Sequence, residues 1–231
     1  MGVGNVQMVD EEFELFYSHA GFGPAVDARP VSSAKLQHYR GKVPNKLLEY
    51  WHAYGFAGYG GGRFWMTDPD EYAEALNAWL YGTEFHGKDH YYVIGRTAFG
   101  DLTLWGTKTG TSLTITCPWA MMFPGDQSRW MDAGEEDWLI SGWLACMDLD
   151  GVDQTDDEDI PLFNRAVKLL GLLAHDEMYG FVPALALGGP CRLDHLQKVK
   201  AAEHLLFLAQ LGERRVMVDI VKEVKARGLW E

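Results

Sequence analysis

Tyr91-Tyr92-Val93-Ile94, Leu102-Thr103-Leu104-Trp105 and Ser112-Leu113-Thr114-Ile115-Thr116 are three short runs rich in β-branched and aromatic residues, separated by Phe99-Gly100-Asp101 and Lys108-Thr109-Gly110. Strands of this length joined by turn-forming residues pair with their immediate neighbours, so the spacing predicts an antiparallel meander over residues 90–123.

Upstream of the meander the period becomes helical. Asp68-Pro69-Asp70-Glu71 is the best-marked helix start in the chain: Asp68 can cap free N–H groups, Pro69 suits the first helical position and Glu71 stands at the capping-box position. That helix runs through Tyr72, Leu76 and Trp79 and stops near Gly82, and residues 63–67 before it read as a short strand. Residues 43–51 form a helix with Leu47, Leu48 and Trp51 on its buried face, closed by Gly55 and Gly58. Residues 10–19 form another, with Phe13, Phe16 and Tyr17 together and Gly21 and Gly23 after it.

Downstream, the strand pattern ends at residues 125–127, which divides the chain into an expected first unit, 1–125, and a second, 126–231, packed on it. In the second unit Trp138, Leu139, Trp143 and Leu144 predict a helix before Asp148, and residues 162–170 predict another. Residues 192–211 predict a longer helix, with Leu196, Val199, Leu206 and Ala209 available for burial. Residues 214–231 predict a last one, with Val218, Val221 and Val224 facing inward. Residues 178–187 read as a short strand that Gly188-Gly189-Pro190 terminates. The predicted fold class is α+β: an antiparallel β-meander packed with helices in the N-terminal half, then a mostly helical C-terminal half with short strands.

With 231 residues, 47% of them hydrophobic, the chain has material for one large core or two modest ones sharing an interface. Its first ten residues lack a basic and then apolar leader, and no apolar run approaches the roughly 20 residues of a spanning helix. The expectation is a soluble cytoplasmic protein with no membrane partner. Cys117, Cys146 and Cys191 are odd in number and widely spaced, which fits reduced thiols in a core better than a disulfide framework or a zinc site.

Charge carries the best clue to a partner. Between Trp130 and Asn164 stand eleven acidic residues and no Lys, Arg or His; elsewhere 22 acids face all 20 Lys and Arg, so the formal charge of −13 is concentrated in one segment. A local negative field steers a basic partner and disfavours direct nucleic-acid binding, because like charges would have to be desolvated against each other. The bland alternative for such a run is a solvated loop.

Other candidate sites are weaker. Gly58-Tyr59-Gly60-Gly61-Gly62-Arg63 lacks the Lys-Ser/Thr of a phosphate-binding loop and precedes a strand, which favours a tight turn. His86 and His90 have metal-ligand spacing, but Gly87 follows the first and no Glu stands as in HExxH. With Asp148 at position one of a calcium loop, position five is Val152 and Gly151 falls two places early, so the EF-hand register fails. No GxSxG elbow is present, and His175-Asp176-Glu177, adjacent in sequence, reads as a helix end.

Several motifs in combination resemble a known family. Leu47-Leu48-Glu49-Tyr50-Trp51 with Tyr54-Gly55-Phe56, Gly62-Arg63-Phe64-Trp65 with Asp68-Pro69, and Arg96-Thr97-Ala98-Phe99-Gly100-Asp101-Leu102 with Leu104-Trp105-Gly106 resemble the GAD-like domain of bacteria. The stretches Asp176-Glu177-Met178-Tyr179-Gly180-Phe181-Val182-Pro183-Ala184-Leu185, Leu187-Gly188-Gly189 and Lys198-Val199-Lys200-Ala201-Ala202-Glu203-His204-Leu205 are similar to the domain that commonly follows it. The resemblance spans about residues 13–212. It implies a mixed fold with an antiparallel sheet and no catalytic residues. It also implies a role seen in proteins with this domain pair, which include immunity proteins that neutralise DNase effectors of type VI secretion systems.

The expected function is therefore binding and neutralisation of a cognate nuclease toxin, without a cofactor and without enzymatic activity. A nuclease presents Lys and Arg to phosphates, so clustered carboxylates can compete for that surface. Asp153, Asp156, Asp157, Glu158 and Asp159 are the expected steering residues, Glu135, Glu136 and Asp137 a second patch, and Trp138 or Trp130 the anchor. The alternatives are a calcium- or small-molecule-binding regulatory module, resting on residues 148–159, and a hydrolase built around His175.

Overall fold

In the computed structural model, which describes residues 9–218, the chain opens with α1 (Glu11–Glu14), continued by a π-helical turn over Leu15–His19. Next come β1 (Val26–Arg29), α2 (Ser33–Tyr39), α3 (Asn45–Tyr54), the hairpin of β2 (Phe56–Tyr59) and β3 (Phe64–Met66), and α4 (Pro69–Leu80). The meander is β4 (Tyr91–Thr97), β5 (Asp101–Gly106), β6 (Gly110–Thr116) and β7 (Met121–Pro124). After it follow α5 (Ser128–Asp132), α6 (Glu136–Ala145), α7 (Phe163–Leu170), β8 (Glu177–Phe181), β9 (Leu196–Lys200), α8 (Ala201–Leu211) and β10 (Arg215–Val216). The fold is α+β, with the predicted antiparallel sheet among helices and a helical C-terminal part carrying short strands.

The main sheet has the order β1-β2-β3-β4-β5-β6-β7-β10, antiparallel throughout except where β10 adds parallel to β7. Alternation along the strands gives it two buried faces. Val93, Leu102, Leu104, Leu113 and Ile115 meet Tyr72, Leu76 and Trp79 of α4 and Leu205 and Leu208 of α8. On the other side Ile94 and Trp105 join Phe13, Phe16, Leu47, Trp51, Leu139, Ile140 and Leu144, from α1, its π-helical turn, α3 and α6. Each large apolar side chain so buried stabilises the fold by about 1.5–3 kcal/mol, before entropy is counted. A third cluster, with Trp65, Phe99, Phe163, Tyr179, Phe181 and Leu196, seats α7 and the β8–β9 hairpin against the end of the sheet.

Local signals place the helices largely as predicted. Asp10 Oδ1 accepts from Phe13 N at 2.8 Å at the start of α1, and Asp68 Oδ1 accepts from Asp70 N at 3.1 Å at the start of α4. Glu71 does not complete a capping box: its carboxylate forms a two-bond pair with Arg29 of β1, at 2.6 and 2.9 Å. The glycine run closes the β2–β3 hairpin, with positive φ at Gly60, Gly61 and Gly62.

Four predictions need correction. Residues 192–211 are not one helix: Leu196–Lys200 is a strand, paired with β8 in the register Met178↔Val199, and only Ala201–Leu211 is helical. The strand over residues 178–187 is shorter than expected, ending at Phe181. Arg215–Val216 extends the sheet instead of starting a helix and Val218 is exposed, while Val221 and Val224 lie outside the described residues. Of the thiols, Cys117 and Cys191 are buried but Cys146 is exposed. The strands β1 and β2 and the helix α2 carried no recognised signal.

One side chain ties the late segment to the sheet. Arg96 of β4, only 1% exposed, donates from Nε to Tyr72 Oη at 2.8 Å and from one terminal nitrogen to the carbonyl of Thr97 at 3.3 Å. Its other terminal nitrogen donates to the carbonyls of His175 and Glu177, both at 2.8 Å, and the guanidinium lies 5.1 Å from the centroid of Trp65. Planar charge, five donors and an aromatic floor explain why arginine suits this position and lysine does not.

Candidate partner-binding surface

The acidic run splits into carboxylates that hold the fold and carboxylates that face water. Asp153 lies in the segment before α7, whose own N-cap, Leu162, has no side-chain acceptor. Its Oδ1 accepts from Phe163 N at 2.9 Å and Gln154 N at 2.7 Å, and its Oδ2 sits 3.9 Å from Arg63 Nε. Burial raises its carboxyl above the usual range despite those bonds. Asp156 is equally enclosed: its side chain is 7% exposed, Oδ1 accepts from Glu158 N and Ile160 N at 3.0 Å, and Oδ2 pairs with Arg165 at 2.5 Å. The Arg165 hydrogen bond holds its carboxyl below the usual range. Both expected steering carboxylates are thus engaged by backbone N–H groups and lie beside an arginine, Arg63 for Asp153 and Arg165 for Asp156. The physical reason is that backbone N–H groups at a turn and at a helix start need acceptors.

Asp157, Glu158 and Asp159 are exposed, and none makes a side-chain hydrogen bond or ion pair with the described residues. Glu135 and the partly buried Glu136 are likewise without such partners at the start of α6. Asp137 does double duty: it is exposed, yet its Oδ1 accepts from Lys46 N at 2.8 Å and so caps α3, whose N-cap Pro44 offers no side-chain acceptor. This division predicts a contrast in stability. Asp153→Ala should cost about 1–2 kcal/mol through the lost cap of α7, whereas Glu158→Ala should stay within about 0.5 kcal/mol of zero. Urea denaturation midpoints check both, and equal effects would show that the caps do not hold the loop.

Trp138 is 50% exposed on α6 and stacks on Trp130 of α5, with centroids 4.3 Å apart and planes 27° from parallel. Trp130 packs partly against the core, and Arg129 lies 5.3 Å over its ring. The two candidate anchors are thus one aromatic platform, adjoining Glu135, Glu136 and Asp137.

The remaining sites resolve simply. His175 is in a turn before β8, where its Nδ1 lies 3.0 Å from Asp27 Oδ2; Asp176 pairs with Lys200 and Glu177 with Lys198. His175 is thus hydrogen-bonded and Asp176 and Glu177 ion-paired, and the three are not a helix end. Among the described residues no group of three or more His, Cys, Asp or Glu could hold a metal ion, so the geometry adds nothing to the calcium alternative.

Sequence reasoning passed over a cleft of about 340 Å³ between the sheet and the segment after α6, lined in part by Asp101, Thr103, Thr114, Thr116 and Asp148. A signal was present. Asp101-Leu102-Thr103-Leu104 and Ser112-Leu113-Thr114-Ile115-Thr116 alternate, so one strand face is apolar and the other carries hydroxyls and a carboxylate. Burial, opposed only by a hydrogen bond from Thr97, pushes the Asp101 carboxyl up to about 6.

The chain is thus an α+β protein with an acidic, tryptophan-bearing surface around its sixth helix. Residues 11–119 match the model of the GAD-like domain, and residues 140–212 match that of the T6SS immunity protein Tdi1, C-terminal. The two matched stretches follow one another in that order along the chain. No curated protein matches the sequence. Among solved structures, the crystal structure of Atu4351 from Agrobacterium tumefaciens has the same fold, with a TM-score of 0.75 and 21% identity over 84% of this chain and 88% of that one.

Proposed function

We propose that this protein binds and neutralises a cognate DNase toxin of a type VI secretion system, acting as its immunity protein without catalysis or cofactor. The observation that carries the reading is the match of residues 140–212 to a type VI immunity domain, which supports an immunity role and points to a non-catalytic one. The free carboxylates Asp157, Glu158 and Asp159 support the nature of the partner, because a DNase must expose cations to its substrate. Trp138 on Trp130, beside Glu135, Glu136 and Asp137, supplies the desolvated contact that charge alone does not. Among the described residues no helix is long and apolar enough to cross a membrane.

Co-expression with the nuclease encoded beside this gene is expected to restore growth, and purified protein that binds no such nuclease would sink the reading. A sharper test concerns rate. Reversal of Asp157, Glu158 and Asp159 to lysine should slow association about 10- to 100-fold at low salt and change dissociation far less, because long-range attraction acts on the encounter. The difference should shrink as salt brings the Debye length to about 10 Å at 0.1 M. Stopped-flow association that is indifferent to the reversal removes these acids from the mechanism.

A further inference from the structure

The cleft under the segment following α6 holds a carboxylate that the fold leaves incompletely satisfied. Asp101 Oδ1 is sealed from solvent and meets no hydrogen-bond donor, while Oδ2 has only a 3.4 Å contact from Thr97 Oγ1. An unpaired acceptor of this kind costs stability, and a native structure that keeps one invites a functional explanation. Cross-strand pairs Asp101↔Thr116 and Thr103↔Thr114 set the carboxyl in a row of hydroxyls, and the side-chain hydroxyls of those threonines make no hydrogen bond with the described residues. The opposite wall is the 146–152 segment, with Asp148.

The charged and titratable groups around Asp101 are few. Arg96 also lines the cleft, but its donors are engaged by three carbonyls and Tyr72, and no ion pair joins Asp101 to any cation among the described residues. Cys117 lies behind the carboxyl, buried, with its thiol pushed well up by that burial and by Asp101. Cys146 and Asp148 stand on the wall opposite. Against the one engaged guanidinium stand two carboxylates, Asp101 and Asp148, and a row of threonine hydroxyls, with Phe64, Met147 and Val152 as apolar walls, so the lining offers acceptors with a net negative charge; its volume is at the small end of the roughly 300–1,000 Å³ of ligand pockets. That suits one cationic side chain and excludes a nucleotide or a bulky anion.

We propose that the cleft receives an arginine or lysine side chain of the partner toxin, with Asp101 as its buried counter-charge and the threonine hydroxyls as further acceptors. The inference rests on the immunity reading and names a contact within it. The acidic run would steer the basic surface, and the cleft would lock one residue of it in place. Insertion keeps ionised a carboxyl that burial leaves half-protonated near pH 6 in the free protein, so complex formation at that pH releases part of a proton.

The test is calorimetric titration of this protein with a catalytically inactive form of the nuclease encoded beside it, in two buffers of different ionisation enthalpy. At pH 6 the wild type is expected to release about half a proton per complex, and at pH 8 almost none, because a group titrating near pH 6 is half-protonated at the first and ionised at the second. Asp101→Asn should remove that release and weaken binding at least about 30-fold, the loss typical of a buried charge pair deprived of one member. Equal affinity with an unchanged proton count in the variant overturns the inference and leaves the immunity reading standing. Absence of any complex overturns both. Should the variant fail to fold, the wild type decides alone: a proton count identical at pH 6 and pH 8 overturns the inference.

Discussion

Arg96→Ala is expected to destabilise the protein by about 3–5 kcal/mol, because buried acceptors lose their donor and a large buried side chain leaves a cavity. The guanidinium is only 1% exposed and satisfies the carbonyls of Thr97, His175 and Glu177 together with the Tyr72 hydroxyl. Truncation strips those acceptors of donors and leaves a void over Trp65, and both effects have the same sign. Arg96→Lys should recover little, because one ammonium cannot reach four oxygens spread around a plane. Denaturant titration measures both variants. A loss below about 1 kcal/mol for the alanine variant would show that the His175–Glu177 turn is held by other contacts, such as Lys200 on Asp176.

Asp101→Asn is expected to act in the opposite direction and to depend on pH. The carboxyl titrates at about 6 in the folded protein against an ordinary value of 3.8. Below the lower value both folded and unfolded chains hold the proton and ionisation of the group costs nothing. As pH rises toward the upper value the unfolded chain ionises first, so stability falls, and above it the full cost is present. At about 1.4 kcal/mol per pH unit the cost approaches about 3 kcal/mol, which the amide does not incur. The variant should therefore be more stable than wild type at pH 8 by up to that amount and nearly equal to it at pH 3.5. Urea midpoints at the two pH values check this, and a difference that does not vary with pH would refute the buried titration. A residue whose removal stabilises the fold but weakens the complex is the pattern expected when stability is given up for binding.

Much of the first half could be read directly. Asp68-Pro69 starts α4 and Asp10 starts α1 because the acceptor, the helix and the buried face lie within a few residues of one another. The meander was legible because each strand pairs with the next in sequence. The misreading of residues 196–200 has the converse cause. Leu196-Gln197-Lys198-Val199-Lys200 suits a helix about as well as a strand, and β8, whose Glu177 is paired with Lys200 and whose Phe181 is paired with Leu196, decides between them. β10 is a strand only because the free edge of β7 accepts it.

The candidate surface shows the same division. That the chain's excess charge is concentrated between Trp130 and Asn164 follows from the residues alone, as do the α+β class and the family resemblance. Which of those acids remain free is a tertiary matter. Asp153 is drawn in by Phe163, ten residues away, and Asp137 by Lys46 across 91, because helix starts whose own cap residues lack acceptors take them from wherever the fold brings one. Asp101 lies in a predicted turn, but only the stacking of β5 and β6 beneath the 146–152 segment encloses it. Periodicity and capping act over one or two turns of chain and can be read along it, whereas desolvation and long-range hydrogen bonding depend on neighbours that only folding assembles.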